Sequence, residues 1–195
     1  MNFKHKVWAS VPCVIRNTVD IKRREIYWLN ANCIFVHIPK SAGVSINNAL
    51  YGRPLGHFTA SQIKKSIRTT YDKSYTFSVM RDPIERVLSA YKFAKNGSSS
   101  KTHKFIDSKL FREFNSIDEF VIDYLQYKDV TKLDGIFKPQ YEYILDNGKL
   151  AVNKVYSIKQ LAELENDLND KYGFNINIRR ENVSIYNNME RPMSK

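Results

Sequence analysis

Two apolar runs of strand length dominate the hydrophobic pattern of this chain of 195 residues. The first is Cys33-Ile-Phe-Val-His-Ile38, and the second is Ser74-Tyr-Thr-Phe-Ser-Val-Met80. An almost continuous apolar run of this length is typical of a parallel strand that is covered on both faces. The pattern therefore predicts two buried strands, and each ends where proline or charged residues begin.

Capping residues mark helices between and after these strands. Thr59-Ala-Ser-Gln62 predicts a helix that reaches about Thr70, and Ser116-Ile-Asp-Glu119 predicts another through Tyr127. The pattern also predicts a third strand at residues 154–158 and a helix at residues 159–172, which ends before Gly173. A turn is expected at residues 146–148 and a flexible loop at residues 96–101.

Strands that alternate with helices are typical of an α/β fold. We expect a P-loop-like, three-layer domain in which helices flank a central, mainly parallel sheet. The length and a hydrophobic content of 43% suit a single domain with a sizeable core. We assign residues 1–30 to an N-terminal extension, residues 31–185 to the core and residues 186–195 to a tail.

The loop after the first strand has the chemistry of a phosphate site. Ser41, Ala42 and Gly43 have small side chains, so main-chain N–H groups can approach an anion. Ser45 opens a predicted helix, whose N-terminus favours phosphate, and Lys40 adds a cation beside it. In a Walker A motif the lysine follows the last glycine, whereas Lys40 precedes Gly43. The loop is therefore a different motif with related physics.

Arg81 supplies a second cation at the end of the second strand. After it, Asp82 is a favoured N-cap residue and Pro83 suits the first helical position. Glu85 completes a capping box, so we predict a helix from Pro83 to about Lys95. Parallel strands place their carboxyl ends at one edge of a sheet, where open α/β sheets bind ligands. This topology brings Arg81 towards the crevice of the phosphate loop.

These two segments resemble those of the PAPS-dependent sulfotransferases, and most closely the branch that contains the carbohydrate sulfotransferases and their bacterial relatives. His37-Ile-Pro-Lys-Ser-Ala-Gly-Val-Ser45 is similar to the family's 5′-phosphosulfate loop. Arg81-Asp-Pro-Ile-Glu-Arg-Val-Leu-Ser-Ala-Tyr91 is similar to its R-D-P-x-x-R-x-x-S-x-Y site for the 3′-phosphate. Weaker similarities lie in Gly56-His-Phe-Thr-Ala60 and Lys138-Pro-Gln140, and the resemblance spans roughly residues 31–185.

The resemblance implies the co-substrate PAPS, with no metal, and a hydroxyl-bearing acceptor such as a carbohydrate. It assigns Lys40 to the bridging oxygen and the sulfuryl group, and Arg81 and Ser89 to the 3′-phosphate. The 5′-phosphate would be held by main-chain N–H groups of five consecutive residues: Ser41, Ala42, Gly43, Val44 and Ser45.

The resemblance also makes His57 the candidate general base, because imidazole titrates near neutral pH. A structural or exposed position is the alternative for His57, since the topology alone does not force it into the crevice. Arg86 is either a phosphate ligand or a surface ion-pair former, whereas His37 is expected to pack as scaffold.

The chain departs from the family pattern at two places that bear on donor binding. Val44 stands where the family usually has threonine, so one hydroxyl contact to the 5′-phosphate is missing. Ser157-Ile-Lys-Gln-Leu161 occupies a strand-to-helix position where an aromatic residue followed by glutamate is common. The second difference leaves the adenine contact unassigned.

Charge and composition narrow the class of partner. The formal net charge of +11 favours anionic ligands, which include PAPS, acidic glycans and nucleic acid. The basic clusters are short, which is typical of solvated surface: Lys22-Arg-Arg24, Lys64-Lys65 and Arg179-Arg180. Two cysteines are too few for a disulfide framework, and no spacing suggests a metal site. No apolar segment approaches the ~20 residues that span a bilayer, so we expect a cytoplasmic protein with no nucleic-acid or membrane partner.

Two other functions use the same features. A phosphoryl-transfer enzyme would use the same cradle, but it would carry a lysine after Gly43 and an acidic metal ligand, and Asp82 is better explained as a cap. A non-catalytic binder of anionic glycan or nucleic acid would keep a degenerate cradle, for which Val44 is the main argument. The sequence does not identify the acceptor, because the residues that contact it would come from variable loops.

Overall fold

The computed structural model describes residues 11–96 and 113–178. Three sequence predictions fall wholly or mostly outside these residues: the loop at residues 96–101, the Arg179-Arg180 cluster and the tail from residue 186. The helices and strands in the described ranges are, in chain order, α1 Cys13–Ala31, β1 Cys33–Val36, α2 Gly43–Tyr51, α3 Ala60–Ser66, α4 Arg68–Lys73, β2 Tyr75–Met80, α5 Pro83–Asn96, α6 Ile117–Glu119, α7 Tyr141–Ile144, β3 Leu145–Asp146, β4 Lys149–Leu150, β5 Lys154–Ser157 and α8 Leu161–Tyr172.

The main sheet confirms the expected α/β fold. Within the described residues it has three parallel strands in the order β1-β2-β5. Phe35 of β1 lies opposite Phe77 of β2, and Val79 of β2 lies opposite Tyr156 of β5. All three strands therefore end at the same edge, and the loops that follow them meet there.

Alternation along the strands gives the sheet two apolar faces. One face carries Phe35, Phe77 and Tyr156, which pack in a core cluster with Ile46 of α2 and with α8. The other face carries a second set, Ile34 and Val36, which packs in another cluster with side chains of α1, α3 and α4. Helices thus cover both faces, which gives the three-layer architecture that the strand pattern predicted.

Helix α1 was not predicted; it lies in the segment assigned to the N-terminal extension and ends one residue beyond it, at Ala31. Its residues Ile21 and Trp28 are buried against the face of the sheet that α3 and α4 also cover. The helix ends at Asn32, whose φ of 46° is left-handed and whose N–H donates to the carbonyl of Leu29 at 3.1 Å. Among the residues described by the structure, no helix is long and apolar enough to cross a membrane.

Several capping signals are confirmed, but neither predicted helix is one continuous α-helix. The Thr59 hydroxyl accepts from the N–H of Gln62, as predicted, but the helix breaks at Ile67 into α3 and α4. The break keeps Ile67 and both helices in the same core cluster. Ser116 caps α6 through the N–H of Glu119. The helix then continues to Tyr127 as a π turn and a 3-10 turn.

The turn and the last helix agree with the sequence. Asn147 and Gly148 have φ of 50° and 74° and join β3 to β4. The Ser157 hydroxyl accepts from the N–H of Lys159 and the Gln160 side chain accepts from the N–H of Ser157, which places a capping box at the edge where β5 ends. A 3-10 turn then leads into α8, and Gly173 ends it with a φ of 68°.

Candidate active site

The loop after β1 has the backbone of an anion cradle. Lys40 and Ala42 have φ of 68° and 58°, while φ of Ser41 between them is negative. Successive residues with φ of opposite sign turn their N–H groups towards one side, which forms an anion-binding concavity. Left-handed conformations cost free energy in residues other than glycine, so the surrounding contacts must hold this loop in place.

Helix α2 starts at this loop with an open N-terminus. It begins at Gly43, two residues earlier than predicted, because the left-handed Ala42 takes the N-cap position. No described side chain caps this end, so N–H groups of its first turn remain available. Val44 in that turn is 43% exposed, whereas Ser45 is buried. The cradle and the helix N-terminus therefore offer donors to the same anion.

The side chain of Ser41 supports a ligand at this cradle. It is fully buried, and its Oγ has no hydrogen-bond partner among the described residues. A buried hydroxyl without a partner costs about 1–3 kcal/mol. An anionic oxygen bound in the loop would remove that cost by accepting from the hydroxyl.

The buried side chain of Arg86 holds the cradle in place through a hydrogen bond to Pro39. It is 3% exposed, and its Nε donates to the carbonyl of Pro39 at 2.9 Å. Its Nη1 donates to the carbonyl of Lys138 at 2.9 Å, and its Nη2 to that of Gly135 at 3.4 Å. Arg86 is therefore not a surface ion-pair former, which was one of the two sequence interpretations. Its guanidinium joins the loop to the segment around Lys138.

Two cations converge beside the cradle, as the sheet topology predicted. Burial, followed by the charge of Arg81, lowers the pKa of Lys40 below its ordinary value. The Nζ atom of Lys40 lies 4.2 Å from the ring centroid of Phe93, which provides a cation–π contact. The side chain of Arg81 is only 14% exposed, with its Nε 3.3 Å from a carboxylate oxygen of Glu85. Neighbouring cations that repel each other favour the binding of an anion.

The main chain at Arg81 is fixed by neighbours on both sides. Asp82 accepts from the N–H of Glu85 at 3.0 Å, so it caps α5 as predicted. The N–H of Arg81 donates to Oε1 of Gln140 at 3.0 Å, and Nε2 of Gln140 donates to the carbonyl of Arg81 at 2.8 Å. Gln140 is buried and belongs to the weak Lys138-Pro-Gln140 similarity.

Ser89 lies on the face of α5 that packs against the cradle. It is three residues after Arg86 and four before Phe93, so the three side chains share one face of the helix. Arg86 contacts Pro39 and Phe93 contacts Lys40. The partly buried Ser89 therefore lies between two contacts with the loop.

His57 lies beside the cradle through its contact with His37. The two imidazole centroids are 4.1 Å apart, and the planes are tilted by 51°. His57 is exposed, whereas His37 is buried, as the sequence predicted for a scaffold residue. Burial, and then the charge of His57, lower the pKa of His37 well below its ordinary range. The ring of His37 is therefore neutral near pH 7.

The contacts of His37 connect His57 with the loop. A Cβ on Gly43 would lie 1.7 Å from Nε2 of His37, so the imidazole fills the space above that glycine. Asn47, one turn further along α2, donates to the carbonyl of Gly43 at 2.7 Å and lies 3.3 Å from Nδ1 of His37. Only a glycine at position 43 leaves room for this packing.

The structure thus gathers the predicted residues at one edge of the sheet: Lys40, Ser41, Ala42, Gly43, Val44, Ser45, His57, Arg81 and Ser89. Sequence reasoning missed Asn47, Phe93 and the contact of His37 with His57. The spacing of four from Gly43 to Asn47 was a usable signal on a helix. Within the described ranges, no cluster of histidine, cysteine, aspartate and glutamate has the geometry of a metal site.

One comparison with known proteins gives a match. A protein-family model described as "Sulfotransferase family" matches residues 30–184, which is most of the chain. The matched region contains the cradle, the Arg81 corner, His57 and Gln140. No match was found among curated proteins or among solved structures.

Proposed function

The chain belongs to the sulfotransferase family, and on that basis we propose that it transfers a sulfuryl group from PAPS to a hydroxyl group of a carbohydrate. The observation that carries the proposal is that Lys40 and Arg81 follow the ends of neighbouring parallel strands, and that the Lys40 loop leads into the uncapped N-terminus of α2. PAPS carries one phosphate at the 3′ position of its ribose and another at the 5′ position. An anion cradle and a second cation at a neighbouring strand end suit that distribution of charge.

Separate sets of residues suit the two phosphate groups of the donor. Main-chain N–H groups of residues 41–45 and the Ser41 hydroxyl would hold the 5′-phosphate. Arg81, in the corner after β2, and Ser89 on α5 would hold the 3′-phosphate. Val44 contributes only its main chain, because its side chain has no hydrogen-bonding group. The adenine contact stays unassigned, because the segment after β5 lacks the aromatic residue that is common in the family.

The chemical step requires a cation at the leaving oxygen and a base at the acceptor. The acceptor oxygen attacks sulfur while the bond between sulfur and the bridging phosphate oxygen breaks, and that oxygen keeps the bonding electron pair. Lys40 would stabilise the charge that develops there, as cations do in phosphoryl transfer. His57 would take the proton of the acceptor hydroxyl. The products are a sulfate ester and 3′-phosphoadenosine 5′-phosphate.

A calorimetric titration with 3′-phosphoadenosine 5′-phosphate tests the donor site. We expect one-to-one binding that weakens at least tenfold in Arg81→Ala or Ser89→Ala, since each loses a contact with phosphate. Lys65→Ala is the matched control, because Lys65 is an exposed cation on α3. ATP should compete poorly. A preference for ATP, or no binding of the bisphosphate, would overturn the proposal in favour of a phosphoryl-transfer enzyme or a polyanion binder.

The acceptor class has its own test. Its support is the resemblance of the two phosphate segments to the carbohydrate branch of the family, together with the net charge of +11. Transfer of ³⁵S from labelled PAPS should be measured on neutral glycans, acidic glycans, phenols and protein tyrosine. Labelling of glycans alone supports the proposal, whereas labelling of phenols or tyrosine replaces the acceptor class and leaves the donor site standing.

A further inference from the structure

We propose that His37 is a positioning residue that holds the imidazole of His57 beside the anion cradle, with Asn47 fixing the orientation of His37. This inference rests on the proposed function, in which His57 takes the proton of the acceptor. It goes beyond that function because it gives the reaction two residues that touch neither the donor nor the acceptor.

The first observation is the packing of the His37 ring. It is buried, and it contacts His57 with a centroid distance of 4.1 Å and stacks on Phe35 at 5.6 Å and 20°. Phe35 lies in the middle of β1, opposite Phe77 of β2. The ring of His37 is therefore a bridge between the rigid sheet and the exposed ring of His57.

The second observation is the hydrogen bonding of Asn47. Its Oδ1 accepts from the N–H of Leu55 at 3.4 Å, and its Nδ2 donates to the carbonyl of Gly43 at 2.7 Å. These partners fix the amide, so Nδ2 is the atom that faces Nδ1 of His37 at 3.3 Å. Nδ1 must then accept, and the single proton of the neutral ring lies on Nε2. Asn47 thereby ties α2, His37 and the segment before His57 to one another.

The third observation is the missing side chain at position 43. Because an added Cβ would lie 1.7 Å from Nε2 of His37, the ring rests directly on the main chain of Gly43. Gly43 is the first residue of α2 and forms part of the cradle. One imidazole ring, that of His37, therefore fixes the distance between the donor site and the candidate base. A general base works only within hydrogen-bond reach of its proton, so this spacing matters for the rate.

A residue that acts only through His57 has a measurable property that a packing residue lacks. Its replacement lowers kcat while His57 is present and has little effect once His57 has been removed. Replacement of a packing residue lowers kcat by a similar factor in both backgrounds. The two roles are therefore separated by a double-mutant cycle on turnover.

The cycle compares wild type, His37→Leu, His57→Ala and the double variant, with 3′-phosphoadenosine 5′-phosphate binding measured for each. We expect His37→Leu to lower kcat about 10- to 100-fold. In the His57→Ala background the same change should lower kcat less than about threefold. The KM for PAPS and the affinity for the bisphosphate should stay within about threefold, because Arg86 still holds the loop. Phe77→Leu is the matched control, since it removes a buried ring of the same stack, 5.2 Å from Phe35.

A spectroscopic measurement on the wild-type protein keeps the proposal testable if His37→Leu does not fold. Imidazole ¹⁵N spectra should show His37 with its proton on Nε2, and a nuclear Overhauser effect should connect the rings of His37 and His57. Asn47→Ala should shift the signals of both rings. The opposite tautomer, the absence of that effect, or equal losses of kcat in both backgrounds would overturn the positioning role. If the expected spectra are accompanied by no sulfuryl transfer to any acceptor, the proposed function fails while the geometry stands.

Discussion

The side-chain amide of Gln140 pairs with the main chain of Arg81 as a neighbouring strand would. The N–H of Arg81 donates to Oε1 at 3.0 Å, and Nε2 donates to the carbonyl of Arg81 at 2.8 Å. This pairing occurs one residue after β2 ends, where the ladder with β5 has already finished. Gln140 therefore extends the order of the sheet to the residue that carries the second cation of the site.

Replacement of Gln140 should weaken donor binding without removing any group that touches the donor. We expect Gln140→Ala to reduce affinity for 3′-phosphoadenosine 5′-phosphate about tenfold and to destabilise the fold by about 1–3 kcal/mol, since two polar groups of the partly buried main chain lose their partners. Calorimetry and urea unfolding measure the two effects. Gln62→Ala, which removes an amide contact to the N–H of Thr59, should change stability alone. Equal affinities in wild type and Gln140→Ala would contradict this prediction.

Gly43→Ala should be strongly destabilising, and loss of the His37 ring should relieve the effect. The added methyl group would lie 1.7 Å from Nε2 of His37, and we expect a cost of about 3 kcal/mol or more. In the His37→Ala background the same substitution should cost less than about 1 kcal/mol, because φ at Gly43 is not left-handed. Urea unfolding of the two single variants and the double variant gives the coupling energy. Additive losses would show that the ring and the glycine do not share this space.

Arg86 should behave as a buried structural residue. Arg86→Met leaves three carbonyl groups without their donor, and we expect a loss of about 3 kcal/mol in the free energy of unfolding, with weaker binding of the bisphosphate as Pro39 is released. Arg86→Lys should rescue little, because an ammonium group does not reproduce the planar fork. The control is Arg68→Met, whose side chain is 80% exposed beside Asp72 and whose loss should cost about 0.5 kcal/mol or less. A similar loss in both variants would refute the structural role.

Stability should fall as the pH drops below about 6.5, in part because of His37. Burial and His57 keep the folded pKa of His37 well below its ordinary value, so the unfolded chain takes up a proton that the folded chain does not. The contribution is fully present above the unfolded pKa, and it is lost at up to about 1.4 kcal/mol per pH unit as the pH falls towards the folded pKa. Urea unfolding of wild type and His37→Leu between pH 5 and 8 measures it. The difference in free energy of unfolding between the two proteins should be constant above pH 7 and shrink below pH 6. If the two curves stay parallel over the whole range, His37 does not cause the pH dependence.

Much of the architecture could be predicted because its signals are local. The apolar runs of β1 and β2 lie in continuous sequence, and Asp82, Ser116 and Thr59 act within one turn of the helices they cap. A parallel sheet then brings the ends of its strands to one edge, so the meeting of Lys40 and Arg81 followed from topology. Helix α1 escaped prediction because its polar and charged residues mask a narrow buried stripe around Ile21 and Trp28.

The sequence by itself determined the succession from β1 through the small-residue loop to β2 and α5, and the positions of the two cations along it, since each depends on residue type and short-range spacing. Only the tertiary structure decided which side chains meet across long separations. In the folded chain, Arg86 donates to the carbonyl of Pro39, Gln140 accepts from the N–H of Arg81, and the ring of His57 contacts that of His37. Such contacts depend on how helices pack on the sheet, and a hydrophobic period of two or 3.6 residues carries no information about partners that lie 20 to 60 positions apart.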